Sequence, residues 1–150
     1  MKELIKRYEA AKEKGGRYLL TPDFFDKNEL VKNSFIPVFW SPVHFPSEAP
    51  VGFMIDTEHE VLKHFPTEKY ADYQWKKPVD GSVSIRIKDL GKPCKTIVEF
   101  VPNFADNEPK SALLEFNDQK ATFMFCGFDL FAKDHATEAL KAGINGWLAK

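Results

Sequence analysis

The sequence predicts a single α/β domain, a three-layer sandwich with a mixed, largely parallel sheet between helices. Three observations predict it. Helical and strand-like periods alternate through the first half, short apolar strand runs crowd the second half, and an amphipathic stripe closes the chain. At 150 residues the chain has room for one continuous core, so residues 1–150 are read as one domain. Its 43% hydrophobic and 29% charged residues are ordinary globular proportions, which excludes a disordered or fibrous chain.

The elements follow in order. Leu4, Ile5, Tyr8 and Ala11 recur at helical spacing among Lys and Glu, and Gly15-Gly16 supplies residues that tolerate a left-handed helix end. Arg17 to Thr21 is a short strand closed by Pro22, and a second helix is expected from Asp26 to Lys32. Ile36 to Trp40 and Val51 to Ile55 have strand length, joined by a Pro-rich stretch from Ser41 to Pro50. Thr57 and Glu60 stand at capping-box spacing, so a helix is expected from Glu58 to His64, ended by Pro66. Thr67 to Gly81 has no clear period and reads as loop. Val83 to Ile87 and Thr96 to Val101 read as strands, and Ala112 to Phe116 with Thr122 to Cys126 as a hairpin about an Asn/Asp turn. The second hairpin strand is apolar on both faces and should be central. Ala136, Leu140, Ile144, Trp147 and Leu148 form a last helical stripe behind Asp134, a good N-cap residue.

Composition excludes several function classes. Twenty-one Lys and Arg against 22 Asp and Glu leave a net charge of −1 with no basic stripe, so nucleic acid is not an expected partner. No stretch approaches the roughly 20 apolar residues of a membrane helix, and Met1 to Lys14 has no signal-peptide core. A soluble chain without a membrane partner is expected. A fragment of a secreted or periplasmic parent would have lost its signal, so localisation stays open. Cys94 and Cys126 lack CxxC spacing, and both are expected as buried thiols rather than zinc ligands or a disulfide. His44, His59, His64 and His135 lack partners at metal-ligand spacing apart from the Glu58/His59/Glu60 cluster, so no metal and no cofactor is expected.

The most unusual stretch is Ile36-Pro37-Val38-Phe39-Trp40-Ser41-Pro42-Val43-His44-Phe45-Pro46, where aromatics, prolines and a histidine crowd a strand end. It is followed by Gly52-Phe53-Met54-Ile55-Asp56, by His59, by Phe65-Pro66-Thr67 and by Tyr73-Gln74-Trp75. This order resembles the non-catalytic C-terminal domain of bacterial family 2 glycoside hydrolases of the β-galactosidase type. The opening helix, Gly15-Gly16 and Tyr18-Leu19-Leu20 are similar to that domain's start. Leu113 to Phe116, Phe123 to Cys126 and Asp129-Leu130 are similar to its closing hairpin and the approach to its last helix. The chain departs from the pattern at Thr57, Glu60 and Lys76.

The resemblance implies a degenerate class I glutamine amidotransferase-like, flavodoxin-like fold without the catalytic cysteine. It also implies an accessory domain whose partners are other domains of a glycoside hydrolase or a dimer mate. Such an enzyme's active-site barrel typically takes about 250 residues, which this chain cannot contain. Asn28-Glu29 and Asn107-Glu108 are accordingly read as surface, and no catalytic residue is expected. The alternative is a carbohydrate-binding module, since aromatic faces stack on sugar rings while polar neighbours orient hydroxyls. Trp40, His44, Phe45, Tyr73, Gln74 and Trp75 are its candidate contacts, with Ser41, Pro42 and Asp56 shaping the loop. His44 and Asp56 are placed to hydrogen-bond across strand ends. A third reading is a small cysteine hydrolase using Cys126, although Met124 stands where a nucleophile elbow wants its first glycine.

Overall fold

A computed structural model of the chain describes residues 2–35, 50–103 and 107–150. Helix α1 (Lys2–Lys14) carries Glu3 in its first turn and Lys12 and Lys14 in its last, signs that complement the helix dipole. It stops where the sequence predicts. The Gly15 N–H donates to the Ala11 carbonyl, and Gly15 turns at φ 78°, a conformation glycine adopts without strain. Strand β1 (Gly16–Leu20) follows, and its partner is β7 (Ala121–Cys126), alongside in parallel.

The other strands are β2 (Leu30–Lys32), β3 (Gly52–Ile55), β4 (Val83–Arg86), β5 (Cys94–Val101) and β6 (Lys110–Asp118). The nine-residue β6 organises the sheet. One edge of it pairs with β5, which pairs in turn with β3. The opposite edge is shared: β7 takes Leu113 to Asp118, and β4, backed by β2, takes Lys110 and Ser111. The exchange occurs at Gly127, whose N–H donates to the Ala112 carbonyl while its own carbonyl accepts from the Val83 N–H. A Cβ there would lie 1.8 Å from the Val83 carbonyl oxygen, so only glycine fits.

The fold is α/β and the sheet mixed, as the sequence predicts, but the pairing is not largely parallel. Only β1/β7 is parallel, and the other pairings among the described strands are antiparallel. A parallel neighbour needs a crossover of a dozen or more residues, usually a helix. The two long helices among the described residues, α1 and α3 (His135–Leu148), lie outside β1 to β7 rather than between strands.

These helices cover opposite faces, because successive strand residues point to opposite sides. Leu113, Met124 and Cys126 meet Leu140, Ile144 and Trp147 of α3. Leu114, Phe116, Phe123 and Phe125 meet Tyr8 and Ala11 of α1. Strand β7 is buried at every residue but Thr122, which makes it central as expected. Asp134 caps α3, its carboxylate accepting from the Thr137 N–H at 3.0 Å and from the Thr137 hydroxyl at 2.7 Å.

Two expected helices are corrected. Asp26 and Glu29 do form a reciprocal turn, the Asp26 N–H donating to the Glu29 carboxylate and the Glu29 N–H to the Asp26 carbonyl. No helix follows it, because Leu30 to Lys32 pair with β4 as β2. The segment from Glu58 to His64 holds one 3-10 turn, Glu60–Leu62, capped by His59 rather than by Thr57. Glu60 is drawn away from capping by Arg17 and Lys150. The loop expected from Thr67 to Gly81 contains a 3-10 turn, Tyr73–Trp75, running into the short helix α2 (Lys76–Val79). The strand expected at Ile36 to Trp40 lies outside the described residues.

Candidate functional site

Of the residues the sequence singles out, Trp40, Ser41, Pro42, His44 and Phe45 lie outside the described residues, and the expected His44–Asp56 contact lies there with them. Asp56 closes β3. Its carboxylate accepts from the Glu58 N–H, fixing the turn, and pairs with the Lys95 ammonium at 3.0 Å.

Tyr73, Gln74 and Trp75 share one 3-10 turn but face different surroundings. Trp75 is fully buried, its indole N–H donating to the Thr67 hydroxyl at 2.7 Å and its ring edge-on to Phe65 at 4.6 Å. That corrects its reading as a stacking platform, because an indole without exposed surface offers no face to a sugar. The Gln74 amide donates to the Pro66 carbonyl at 2.9 Å, so its hydrogen bonding serves the same turn. Tyr73 alone of the three presents its ring outward, at 74% exposure. It meets Phe35 edge-on at 6.3 Å, and Phe35 in turn stacks on Phe53 of β3. Beside this stack lies an apolar hollow of about 310 Å³ rimmed by Phe35, Val51 and Tyr70. Tyr70 is 62% exposed and Val51 is exposed with it at this rim, whereas Met54 is exposed on the opposite face of β3.

The thiol of Cys126 lies at the end of β7 with no open surface, and burial pushes its pKa up to about 12. A protonated, inaccessible sulfur has neither the charge nor the reach of a nucleophile. Asn28-Glu29 and Asn107-Glu108 are surface turns: Glu29 closes the Asp26 turn, and Glu108 pairs with Lys88. Among the described residues no three His, Cys, Asp or Glu side chains converge as a metal site would require.

Two polar clusters escaped the sequence reading, since their members are distant in the chain. In the first, Glu115 on β6 accepts from the Trp147 indole N–H at 2.7 Å and lies 3.6 Å from His59 Nε2. His59 Nδ1 accepts from the Val61 N–H, leaving Nε2 to carry the proton toward Glu115. Burial is the main cause that lowers the His59 pKa, only partly opposed by Glu115. In the second, the Asp118 carboxylate accepts from the Tyr8 hydroxyl and from the Lys92 ammonium, each at 2.6 Å. Lys92 and then Tyr8 hold the Asp118 carboxyl below the usual range, and burial is the main cause that raises the Tyr8 phenol above its own. Both clusters tie helices or turns to the sheet.

A family model described as a domain of unknown function, DUF8487, matches residues 1–150. A search of curated proteins finds no match.

Proposed function

The chain belongs to the DUF8487 family, and we propose that it is a non-catalytic accessory domain whose β3 side packs against a neighbouring domain of a glycoside hydrolase. The observation that carries this reading is the apolar surface beside β3, where Tyr70 and Tyr73 stand 62% and 74% exposed near Val51 and the Phe35–Phe53 stack. Aromatic residues gathered at one edge are the usual mark of an interaction surface, whereas isolated ones need no explanation. The sequence resemblance to the C-terminal domain of family 2 glycoside hydrolases supplies the partner. In the isolated chain this apolar surface would meet a second copy instead. Sedimentation velocity over a concentration series is expected to show reversible self-association that the double variant Tyr70→Lys/Tyr73→Lys abolishes. A wild type that stays monomeric throughout would refute the reading.

A carbohydrate-binding role is supported by one observation, the open ring of Tyr73. Titration of intrinsic fluorescence with galactosides and plant polysaccharides tests it, with Tyr73→Ala as the binding variant. A saturable change lost in Tyr73→Ala is the expected result, and no change with any glycan would overturn it.

A further inference from the structure

The edge of the sheet opposite β3 carries a different surface. β1 and β7 are the parallel pair, and the crevice beyond the carboxyl ends of parallel strands is where α/β sheets hold ligands. A cleft of about 370 Å³ lies there, formed by the turns that follow both strands, within the size range of small-molecule sites. Its walls are apolar: Leu19, Val83, Phe128 and Leu130. The close approach of Val83 to Gly127 described above fixes this end of the cleft.

Two carboxylates, Asp23 after β1 and Asp129 after β7, border the cleft, and no basic side chain is among the described residues lining it. Phe131 stands at its rim with 88% of its surface exposed. The Asp129 carboxylate accepts from the Phe131 N–H at 3.0 Å, so one turn presents a negative charge and an open aromatic face together. Apolar walls favour a hydrophobic body, the carboxylates favour a positive head, and an exposed ring favours a cation over its face. We infer that this cleft binds a small organic ammonium ion carrying an apolar group. The inference does not depend on the accessory role, because the two surfaces lie on opposite edges of the sheet.

The test follows backbone amide resonances of the full chain during titration with benzyltrimethylammonium, with benzyl alcohol as the uncharged control. The expected result is a saturable shift at Gly81, Gly127, Asp129 and Phe131, with benzyl alcohol weaker by about tenfold. Asp23→Asn/Asp129→Asn should weaken the cation by about tenfold and leave the alcohol unchanged. The amide that replaces the Asp129 carboxylate keeps an oxygen for the Phe131 N–H, and all substituted residues are exposed, so folding is retained and checked by circular dichroism. Phe131→Ala should weaken the cation as well. Equal binding of both ligands, an unaltered affinity in the double Asn variant, or shifts confined to the β3 edge would each overturn the inference. Self-association abolished by Phe131→Ala, without a cation response, would overturn it too and assign the ring to a protein contact.

Discussion

The two faces of the sheet are covered by helices of similar length but unlike fit. On the α3 face, Leu140, Ile144 and Trp147 are fully buried, and Gly143 lets the helix backbone approach so closely that a Cβ would lie 1.7 Å from the Val61 carbonyl oxygen. On the α1 face, Tyr8 and Ala11 reach the sheet, whereas Leu4 is half-buried and Ile5 is 54% exposed. Hollows of about 230 and 390 Å³ flank Tyr8 along that helix. The polar ties of α1 gather near its C-terminal half: the Tyr8–Asp118 hydrogen bond, the Lys92 ammonium donating to the Tyr8 hydroxyl, the Lys12–Asp118 ion pair and the Lys120 N–H donating to the Lys12 carbonyl, with the Tyr8 ring against Phe123 at 4.5 Å. The difference teaches that helix formation and helix docking are separable. Both helices have a clear apolar stripe, but only α3 has the continuous burial that makes a helix part of the cooperative core.

The largest effect expected from this contrast is that of Trp147→Ala. It removes a buried indole and leaves Glu115 without its donor, so denaturant unfolding should show a loss of about 3–5 kcal/mol. A loss as small as that of an α1 surface change would break the comparison. Next, Gly143→Ala forces a methyl into the Val61 carbonyl and should cost about 3 kcal/mol. Equal stability would show that α3 can move away freely.

A smaller effect concerns pH. The folded His59 pKa is lowered, chiefly by burial, so the unfolded chain binds the proton more readily. The stability tied to a neutral His59 is therefore complete above the unfolded value of about 6.5 and is lost as pH falls below it. Unfolding midpoints measured between about pH 7.5 and 5.5 should fall in the wild type and fall less in His59→Gln. Identical slopes would remove His59 as the cause. The smallest effect belongs to α1: Leu4→Ala should cost about 1 kcal/mol or less. Amide exchange in residues 3–8 should also be faster than in α3, and equal protection would mean that the hollows beside Tyr8 do not loosen the helix.

Much of the architecture was legible because its signals are local. The α1 stripe ending at Gly15, the β6/β7 hairpin and the Asp134 cap of α3 each rest on side chains a few residues apart, and all three form in place. Even here a detail was decided elsewhere. The hairpin turn shortens to Gln119-Lys120, with Gln119 at φ 52°, because Asn117 and Asp118 stay paired with Thr122 and Ala121. The Asp26–Glu29 signal was real and still misled, since the three residues after it gain more from pairing with β4 than from continuing a helix. That pairing is locked by a buried network in which the Asn33 amide donates to the Ser82 hydroxyl and the Ser84 hydroxyl donates to Asn33. Trp75 was read as a contact because an aromatic face can stack on a sugar ring. Its burial depends on Phe65 and Phe128, which no spacing rule connects to it.

By itself the sequence determined the α/β class, the two amphipathic helices and the central place of the last strand, because periodicity, caps and turns act over a few residues of chain. Only the tertiary structure decided that the described strands pair mostly antiparallel, that Trp75 lies inside while Tyr73 faces out, and that Asp23 and Asp129 border one cleft. The physical reason is that these outcomes depend on which distant surfaces exclude water together and which backbone groups find partners across the sheet.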